Sequence, residues 1–171
     1  MSLTSSFIND FKDQTCFRIN ESARMIEKSL KEIDENELWQ KPNSSLNSIG
    51  NLLLHLCGNI TQYVIAGVGG VPDERQRDLE FSVSGGYDKN TLLAHFNETL
   101  SKAKQTIVEA SESSLVMIKN LQGFQLTGQG AILHAVEHLS YHTGQIAFWV
   151  KLLKDKDLGF YSGINLNERN S

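Results

Sequence analysis

Cysteine, basic clusters and long apolar runs are scarce in this chain of 171 residues. Cys16 and Cys57 are too few for a disulfide framework and lack the Cys-x-x-Cys spacing, so we interpret them as free thiols. The chain has 16 Lys and Arg residues and 20 Asp and Glu residues, and its basic residues form no block, which argues against a nucleic-acid partner. The apolar runs are too short to span a membrane and the N-terminus lacks a signal-peptide pattern, so we expect a cytoplasmic protein without a membrane partner.

The composition indicates one globular domain over residues 1–171, because 40% of the residues are hydrophobic and this length can bury a full core. Apolar residues recur every three or four positions in four stretches, which predicts four long helices. The stretches are Thr4 to Ile33, Asn47 or Ser48 to Gly67, Asp88 to Ala110, and about Thr127 to Leu153. Ser48 or Asn47 is expected to cap the second helix, and Asp88 the third.

A connection over about residues 69–88 separates the second and third predicted helices and shows no sustained helical period. Because long loops are uncommon in compact domains, we interpret it as a crossover that returns the chain to the other end of the bundle. The fold prediction is therefore an all-α four-helix bundle with up-down-down-up topology. No stretch predicts a sheet, and the tail over about residues 154–171 is expected to drape on the bundle.

The fourth predicted helix carries His134, His138 and His142 at intervals of four residues. His138 and His142 lie one turn apart beside the apolar stripe, so both can offer an imidazole to one ion. Each step of four residues turns by about 40°, which puts His134 about 80° away from His142. A third ligand is therefore expected from elsewhere, and His55 on the second helix is the best choice. Three neutral imidazoles suit Zn²⁺ or Ni²⁺ and leave one coordination position open for water or substrate.

Two amides lie one turn from the expected ligands: Asn59 follows His55, and Gln145 follows His142. Either amide could orient the neighbouring imidazole by hydrogen bonding, although packing alone explains both positions nearly as well. His134 is assigned to the surroundings of the ligands rather than to the metal.

Further residues are predicted near the mouth of the bundle. Tyr63 and Trp149 either line a pocket or pack in the core, since aromatic residues at helical spacing are usually core. The segment Val71 to Tyr87 would cover the mouth. Its Arg75 and Arg77 could bind a carboxylate of a substrate or cofactor through their guanidinium groups. The alternative for both is a solvated surface charge, the usual state of a charged loop residue.

The segment His134-Ala-Val-Glu-His138 also matches the inverted zinc-protease motif His-x-x-Glu-His. That site needs a further acidic ligand, and the only Glu after Glu137 is Glu168 in the tail. We therefore reject a protease and interpret Glu137 as solvated.

Three stretches carry a resemblance to a known family: Asn47-Ser-Ile-Gly-Asn-Leu-Leu-Leu-His-Leu-Cys-Gly-Asn59, His138-Leu-Ser-Tyr-His-Thr-Gly-Gln-Ile146 and Lys151-Leu-Leu-Lys-Asp-Lys-Asp-Leu-Gly-Phe-Tyr161. Together they resemble the DinB/YfiT-like metalloenzyme superfamily across most of the chain. The resemblance implies an up-down-down-up bundle, homodimers, and a divalent metal bound by His55, His138 and His142. It also implies relatives that are S-transferases or isomerases using bacillithiol, mycothiol or glutathione, and others described as hydrolases.

We therefore expect a metal-dependent enzyme, a thiol S-transferase or a hydrolase, whose three-histidine site activates a bound thiol or water towards a small-molecule substrate. The alternative is a dimeric module that binds a metal or small ligand without catalysis. No paired carboxylates, Ser-x-x-Lys, nucleophile elbow or phosphate-binding glycine loop marks a protein nucleophile or base. The sequence leaves the metal, the thiol and the electrophile open.

Overall fold

The computed structural model describes residues 3–169, so the first two residues and residues 170–171 of the predicted tail lie outside the described part. Four long helices run through it: α1 (Leu3–Lys31), α3 (Ile49–Ile60), α5 (Lys89–Glu109) and α7 (Gly128–Lys154). A π-helical turn, Thr61–Ala66, extends α3. The connections contain the short elements α2 (Glu35–Trp39), α4 (Arg77–Ser82), α6 (Glu112–Val116), β1 (Ile118–Leu121) and β2 (Phe124–Thr127).

The long helices begin where polar side chains can satisfy their first free backbone N–H groups. Ser48 caps α3 in a capping box, in which its Oγ accepts from the backbone N–H of Asn51 and the Asn51 side chain accepts from the Ser48 N–H. Asp88 accepts from the backbone N–H of Thr91 at the start of α5. These caps confirm the predicted helix starts and select Ser48 over Asn47.

Contacts at the helix ends establish that α1 runs antiparallel to α5 and parallel to α7. Lys12, near the start of α1, donates to the carbonyl oxygens of Val108 and Ala110 at the end of α5. Beyond the ends of α1 and α7, Lys156 pairs with Glu32 at 2.7 Å.

Helix α3 runs antiparallel to α7 and parallel to α5. His55 approaches His138, whereas Tyr63, two turns later in the π-helical turn that extends α3, packs against His134, one turn earlier on α7. The Trp39 indole bridges the starts of α3 and α5, since it donates to the Tyr87 carbonyl and packs against Gly50. These helix directions are those of the predicted up-down-down-up bundle with a crossover between its middle helices, and the mostly helical fold is confirmed.

The hydrophobic core fills the space between the four long helices. Each contributes side chains that are fully or almost fully buried, among them Ile26, Leu53, Leu56, Phe96, Ile107, Ile132 and Leu139. Burial of these apolar groups is the main stabilising term of such a bundle. Within residues 3–169, no helix combines the length and the hydropathy needed to cross a membrane.

The expectation that no stretch forms a sheet is wrong at one place. β1 and β2 pair antiparallel, with Ile118 opposite Thr127 and Leu121 opposite Phe124. Their two-residue turn places Gln122 and Gly123 at φ of 53° and 85°. The usual sequence signal of a tight hairpin is Asn-Gly or Asp-Gly, and here Gln, an unusual residue for the left-handed conformation, takes the first position. Each strand also has only four residues, which is too short to show a clear alternating pattern.

Candidate metal centre

The bundle brings His55 from α3 together with His138 and His142 from α7. The Nε2 atom of His138 lies 2.8 Å from that of His55 and 3.1 Å from that of His142. His55 and His142 are buried and His138 is half-buried. The antiparallel helices present these side chains at the same height. The structure thus unites the three residues that the spacing and the resemblance select.

Hydrogen bonds on the outer side of the cluster fix the tautomers of two of these imidazoles. The Nδ1 atom of His55 lies 2.8 Å from Glu80 Oε2, and that of His142 lies 2.6 Å from Gln145 Oε1. An ionised carboxylate and an amide oxygen can only accept, so both Nδ1 atoms carry the proton. The Nε2 lone pairs of His55 and His142 therefore point into the cluster, as they do in metal-binding histidines.

The nitrogen positions fit a divalent metal ion. Ligand nitrogens held about 2.0–2.1 Å from one ion lie roughly 3 Å from each other. The three ligand atoms all lie within 4.8 Å of one another, and the two shortest separations are 2.8 and 3.1 Å. Three neutral imidazoles are a common donor set for Zn²⁺ and similar ions. The cluster can accordingly hold a metal.

The surroundings favour the neutral, metal-binding form of His138 and His142. Burial, followed by the neighbouring His142, His55, His134 and Arg75, lowers the pKa of His138 to about 3. Burial also lowers the pKa of His142, although the hydrogen bond with Gln145 works in the opposite direction. Protons therefore compete weakly with a metal for these nitrogens at neutral pH.

Glu80 on α4 is the residue of this site that sequence reasoning missed. Its carboxylate binds His55, and it pairs with Arg75, whose Nε lies 2.7 Å from Oε1 and whose Nη2 lies 2.9 Å from Oε2. Burial alone would raise the pKa of Glu80, but the hydrogen bonds from Arg75 and His55 outweigh it and lower the pKa. Gly58 offers the one sequence signal, because a glycine inside a helix often marks a close approach, and a Cβ there would collide with Glu80 Oε1.

The two arginines of the crossover differ in their environment. The Arg75 side chain is 3% exposed, so the solvated alternative is wrong for it, and a substrate carboxylate would have to compete with Glu80 for its guanidinium. Arg77 is exposed, with its guanidinium 4.9 Å from the centre of the Phe81 ring. A substrate-binding role for either arginine stays a prediction.

The predicted neighbours of the ligands occupy distinct positions. Gln145 forms a hydrogen bond with His142, which is the orienting role that was one of its two interpretations. Asn59 instead contacts His134, with its Nδ2 3.5 Å from the imidazole Nε2, and its buried Oδ1 has no hydrogen-bond partner within residues 3–169. His134 in turn stacks on His138 with the ring centres 5.7 Å apart. His134 therefore lies beside the cluster without joining it.

The two predicted aromatic residues belong mainly to the core. Tyr63 is 1% exposed, its ring lies 4.2 Å from that of His134, and its hydroxyl donates to Gln122. Trp149 is half-buried against the core, and its Nε1 has no acceptor among the described residues. Glu137 is exposed, in agreement with its predicted solvation.

The crossover covers one side of the cluster, as predicted. The Phe81 ring lies 4.7 Å from the His55 ring, centre to centre. The Asn51 side chain on α3 donates to the carbonyl oxygens of Glu80 and Val83 and so attaches this segment to the bundle.

Residues 6–164 match the family described as "Protein of unknown function (DUF1572)". The chain belongs to the DUF1572 family. This family is part of the DinB-like superfamily, so the resemblance is confirmed. No curated protein matches this DUF1572 chain.

Solved structures similar to this DUF1572 protein show the same helical fold. A conserved protein of Enterococcus faecalis has a TM-score of 0.70 at 15% identity, covering 91% of this chain and 99% of that one. The DinB-like protein YjoA of Bacillus subtilis has a TM-score of 0.66 at 17% identity, covering 86% and 96%. A DinB-like protein of Bacillus cereus has a TM-score of 0.65 at 14% identity, covering 84% and 90%. At these identities the likeness establishes the fold alone.

Proposed function

We propose that this protein is an enzyme that uses a divalent metal, Zn²⁺ or Ni²⁺, to transfer a low-molecular-weight thiol to an electrophilic small molecule. One observation carries the proposal: three histidine Nε2 atoms converge while Glu80 and Gln145 hold the protons of two of them on the outer nitrogens. This arrangement supplies lone pairs to one point and is typical of a metal site whose ligands are held in advance.

His55, His138 and His142 would hold the ion. When bound, it would supply Lewis acidity, lowering the pKa of a thiol or water so that the anion forms near neutral pH. The chain itself would position and shield this chemistry. Phe81 packs against the His55 ring and Gln145 accepts from His142, so these contacts hold both imidazoles in one arrangement.

The thiol is assigned to a cosubstrate because the nearby groups of the chain are poorly suited to act as nucleophile or base. Cys57, two residues from His55, is 3% exposed, and burial raises the pKa of its thiol to about 12. Both oxygens of Glu80 are already bound by Arg75 and His55, so this carboxylate is not free to accept a proton from water. A bound thiol or a bound water would therefore rely on the metal to lose its proton, and hydrolysis is the second candidate.

We further propose that two copies of the chain form a homodimer through α7. Large apolar side chains lie exposed along this helix: Leu133, Tyr141, Phe148 and Leu152. Exposed apolar stripes of this kind usually mark an interface. Light scattering should give the mass of a dimer for the wild type and of a monomer for Phe148→Glu. Val108→Glu, a similar exposed substitution on α5, should remain dimeric, and a monomeric wild type would contradict the proposal.

The function is tested by elemental analysis of purified, untagged protein beside the variants His138→Ala and His95→Ala. His95 is exposed on α5 and serves as the matched control. We expect one equivalent of metal in the wild type and in His95→Ala, and none in His138→Ala. Assays with bacillithiol, mycothiol or glutathione and a generic electrophile should then show turnover that requires both thiol and metal. Stoichiometric metal without turnover on any thiol or ester would favour the non-catalytic module.

A further inference from the structure

Glu80 reaches the histidine cluster from the crossover, a part of the chain that belongs to none of the four long helices. It lies on α4, a helix of six residues, and is the one buried residue of that helix. Its Oε2 atom is 2.8 Å from His55 Nδ1. Gly58, one turn after His55 on α3, permits this approach, because any Cβ there would meet Glu80 Oε1. The backbone of α3 is thus shaped to receive this carboxylate.

The contacts around His55 Nδ1 decide which atom carries the proton. Arg75 Nη2 also lies 3.1 Å from Nδ1, but a guanidinium can only donate. The Glu80 carboxylate can only accept, and it is closer, at 2.8 Å. Arg75 Nη2 has its own acceptor in Glu80 Oε2 at 2.9 Å. We therefore assign the proton to Nδ1 of His55, donated to Glu80, with the arginine neutralising the same carboxylate from the other side.

The attachment of the crossover to α3 is polar and centres on Glu80. Asn51 on α3 donates to the backbone oxygens of Glu80 and Val83, at 2.9 and 2.6 Å. Arg75 also donates to Gln62 Oε1 at 2.8 Å, which links the crossover to the π-helical turn. By contrast, Leu79 of α4 is 56% exposed. Phe81 of α4 contacts the His55 ring, so this ring contact and the polar contacts together hold the segment, and the Glu80 carboxylate joins it to His55 and Arg75.

We propose that Glu80 is a positioning residue that couples docking of crossover residues 71–87 to metal binding at the histidine cluster. The inference rests on the proposed metal site and adds a second role for the crossover. Docking places the carboxylate on His55 and holds its Nε2 lone pair towards the other two histidines. A bound ion would polarise the imidazole, and this would strengthen the hydrogen bond from Nδ1 to Glu80 and favour the docked crossover. Because coupling between two equilibria is reciprocal, each event stabilises the other.

The affinity for Zn²⁺ provides the first test. Glu80→Gln keeps the size of the side chain but presents an amide to two donors, Arg75 and His55. Asp78→Asn is the matched control, since it removes an exposed carboxylate from the same short helix. Competition with a chromophoric chelator should show Zn²⁺ binding weakened by about 10- to 100-fold in Glu80→Gln, the usual effect of losing such a partner, and unchanged in Asp78→Asn.

Two further readouts separate positioning from a general structural role. Zn²⁺ should slow amide hydrogen exchange over residues 71–87 in the wild type and much less in Glu80→Gln. In the metal-free wild type, long-range ¹H–¹⁵N correlation spectra should show the His55 proton on Nδ1, and in Glu80→Ala it should shift towards Nε2. The wild-type spectrum needs no variant to fold.

The outcomes distinguish this inference from the proposed function. If the wild type and Glu80→Gln bind Zn²⁺ equally well, the coupling is overturned and the metal site remains. The same holds if the wild type binds Zn²⁺ but amide exchange over residues 71–87 does not change with the metal. A wild-type His55 protonated on Nε2 would also overturn it. Wild-type protein that takes up no Zn²⁺ under any loading condition would remove both.

Discussion

The Nε2 atoms of His55 and His138 lie 2.8 Å apart, although 83 residues separate the two histidines in the sequence. With the Nδ1 protons of His55 and His142 held by Glu80 and Gln145, both imidazoles direct a lone pair at His138. A neutral His138 can offer one Nε2 proton to these two acceptors. Without a cation, one of the two Nε2 lone pairs therefore lacks a hydrogen-bond donor within the cluster. A divalent ion would satisfy the lone pairs of all three nitrogens at once.

A metal ion is accordingly expected to stabilise the fold. At a free concentration of about 100 times the dissociation constant, Zn²⁺ should raise the free energy of unfolding of the wild type by about 2.7 kcal/mol. Thermal denaturation with Zn²⁺ and with a chelator measures this difference. His142→Ala should lose the effect because it removes one ligand, whereas His95→Ala, on the exposed face of α5, should keep it. An equal shift in His142→Ala and the wild type would contradict the assignment of the ligands.

Periodicity made most of this arrangement predictable. The four long helices were expected within a few residues of their ends, because their apolar spacing and the caps Ser48 and Asp88 are local signals. The pairing of His138 with His142 is equally local, since residues four apart share a helix face. His55 required the predicted bundle, which brings the second and fourth helices together, and the resemblance implies the same residue. The bundle itself rests on periodicity and on the long crossover, both of which are visible in the sequence.

Glu80 could not be predicted in the same way. It reaches His55 through a contact across 25 residues, from a helix too short to show a clear apolar period. The same contact explains why Arg75 is buried rather than solvated, because its environment depends on a carboxylate that the sequence did not place nearby. The β1–β2 hairpin was missed for a related reason, since Gln122 adopts a left-handed conformation that its residue type does not predict.

The approach of Glu80 to α3 predicts opposite effects of alanine at two helical glycines. Gly144→Ala on α7 meets no atom of its own chain within 4 Å, so in the Phe148→Glu background, which removes the proposed α7 interface, the gain in helix propensity should stabilise the protein by about 0.5–1 kcal/mol. Gly58→Ala should instead destabilise it by about 1–3 kcal/mol. Its Cβ would collide with Glu80 Oε1, which cannot move without leaving Arg75 and His55.

Urea denaturation of both glycine variants measures these changes. Gly58→Ala should also weaken Zn²⁺ binding, and Gly144→Ala should leave it unchanged. Stabilisation by Gly58→Ala with unchanged metal affinity would show that the Glu80 carboxylate does not rest against α3.

The cap of α5 predicts a specific dependence of stability on pH. The hydrogen bond from the Thr91 backbone lowers the pKa of the Asp88 carboxyl below its usual value. A carboxyl with a lowered folded-state pKa contributes stability above its unfolded pKa, and the contribution disappears as the pH falls through the folded value. Asp88→Asn keeps a capping oxygen that does not titrate. The urea midpoint of the wild type should therefore fall relative to that of Asp88→Asn below about pH 4. Parallel midpoints across the acid range would contradict this cap.

The two cysteines should react at very different rates, which bears directly on where the nucleophile comes from. Burial raises the pKa of Cys57 to about 12, so at pH 8 only about one molecule in 10⁴ carries its thiolate. Cys16 is half-buried, and burial also raises its pKa above the usual value. In native protein, iodoacetamide should modify Cys16 slowly and leave Cys57 intact, whereas both should react in urea; mass spectrometry of tryptic peptides locates the label. Cys16→Ser should then resist modification until it unfolds. Rapid native labelling of Cys57 would place a reactive thiol two residues from His55, and the added thiol cosubstrate would no longer be needed to explain transfer.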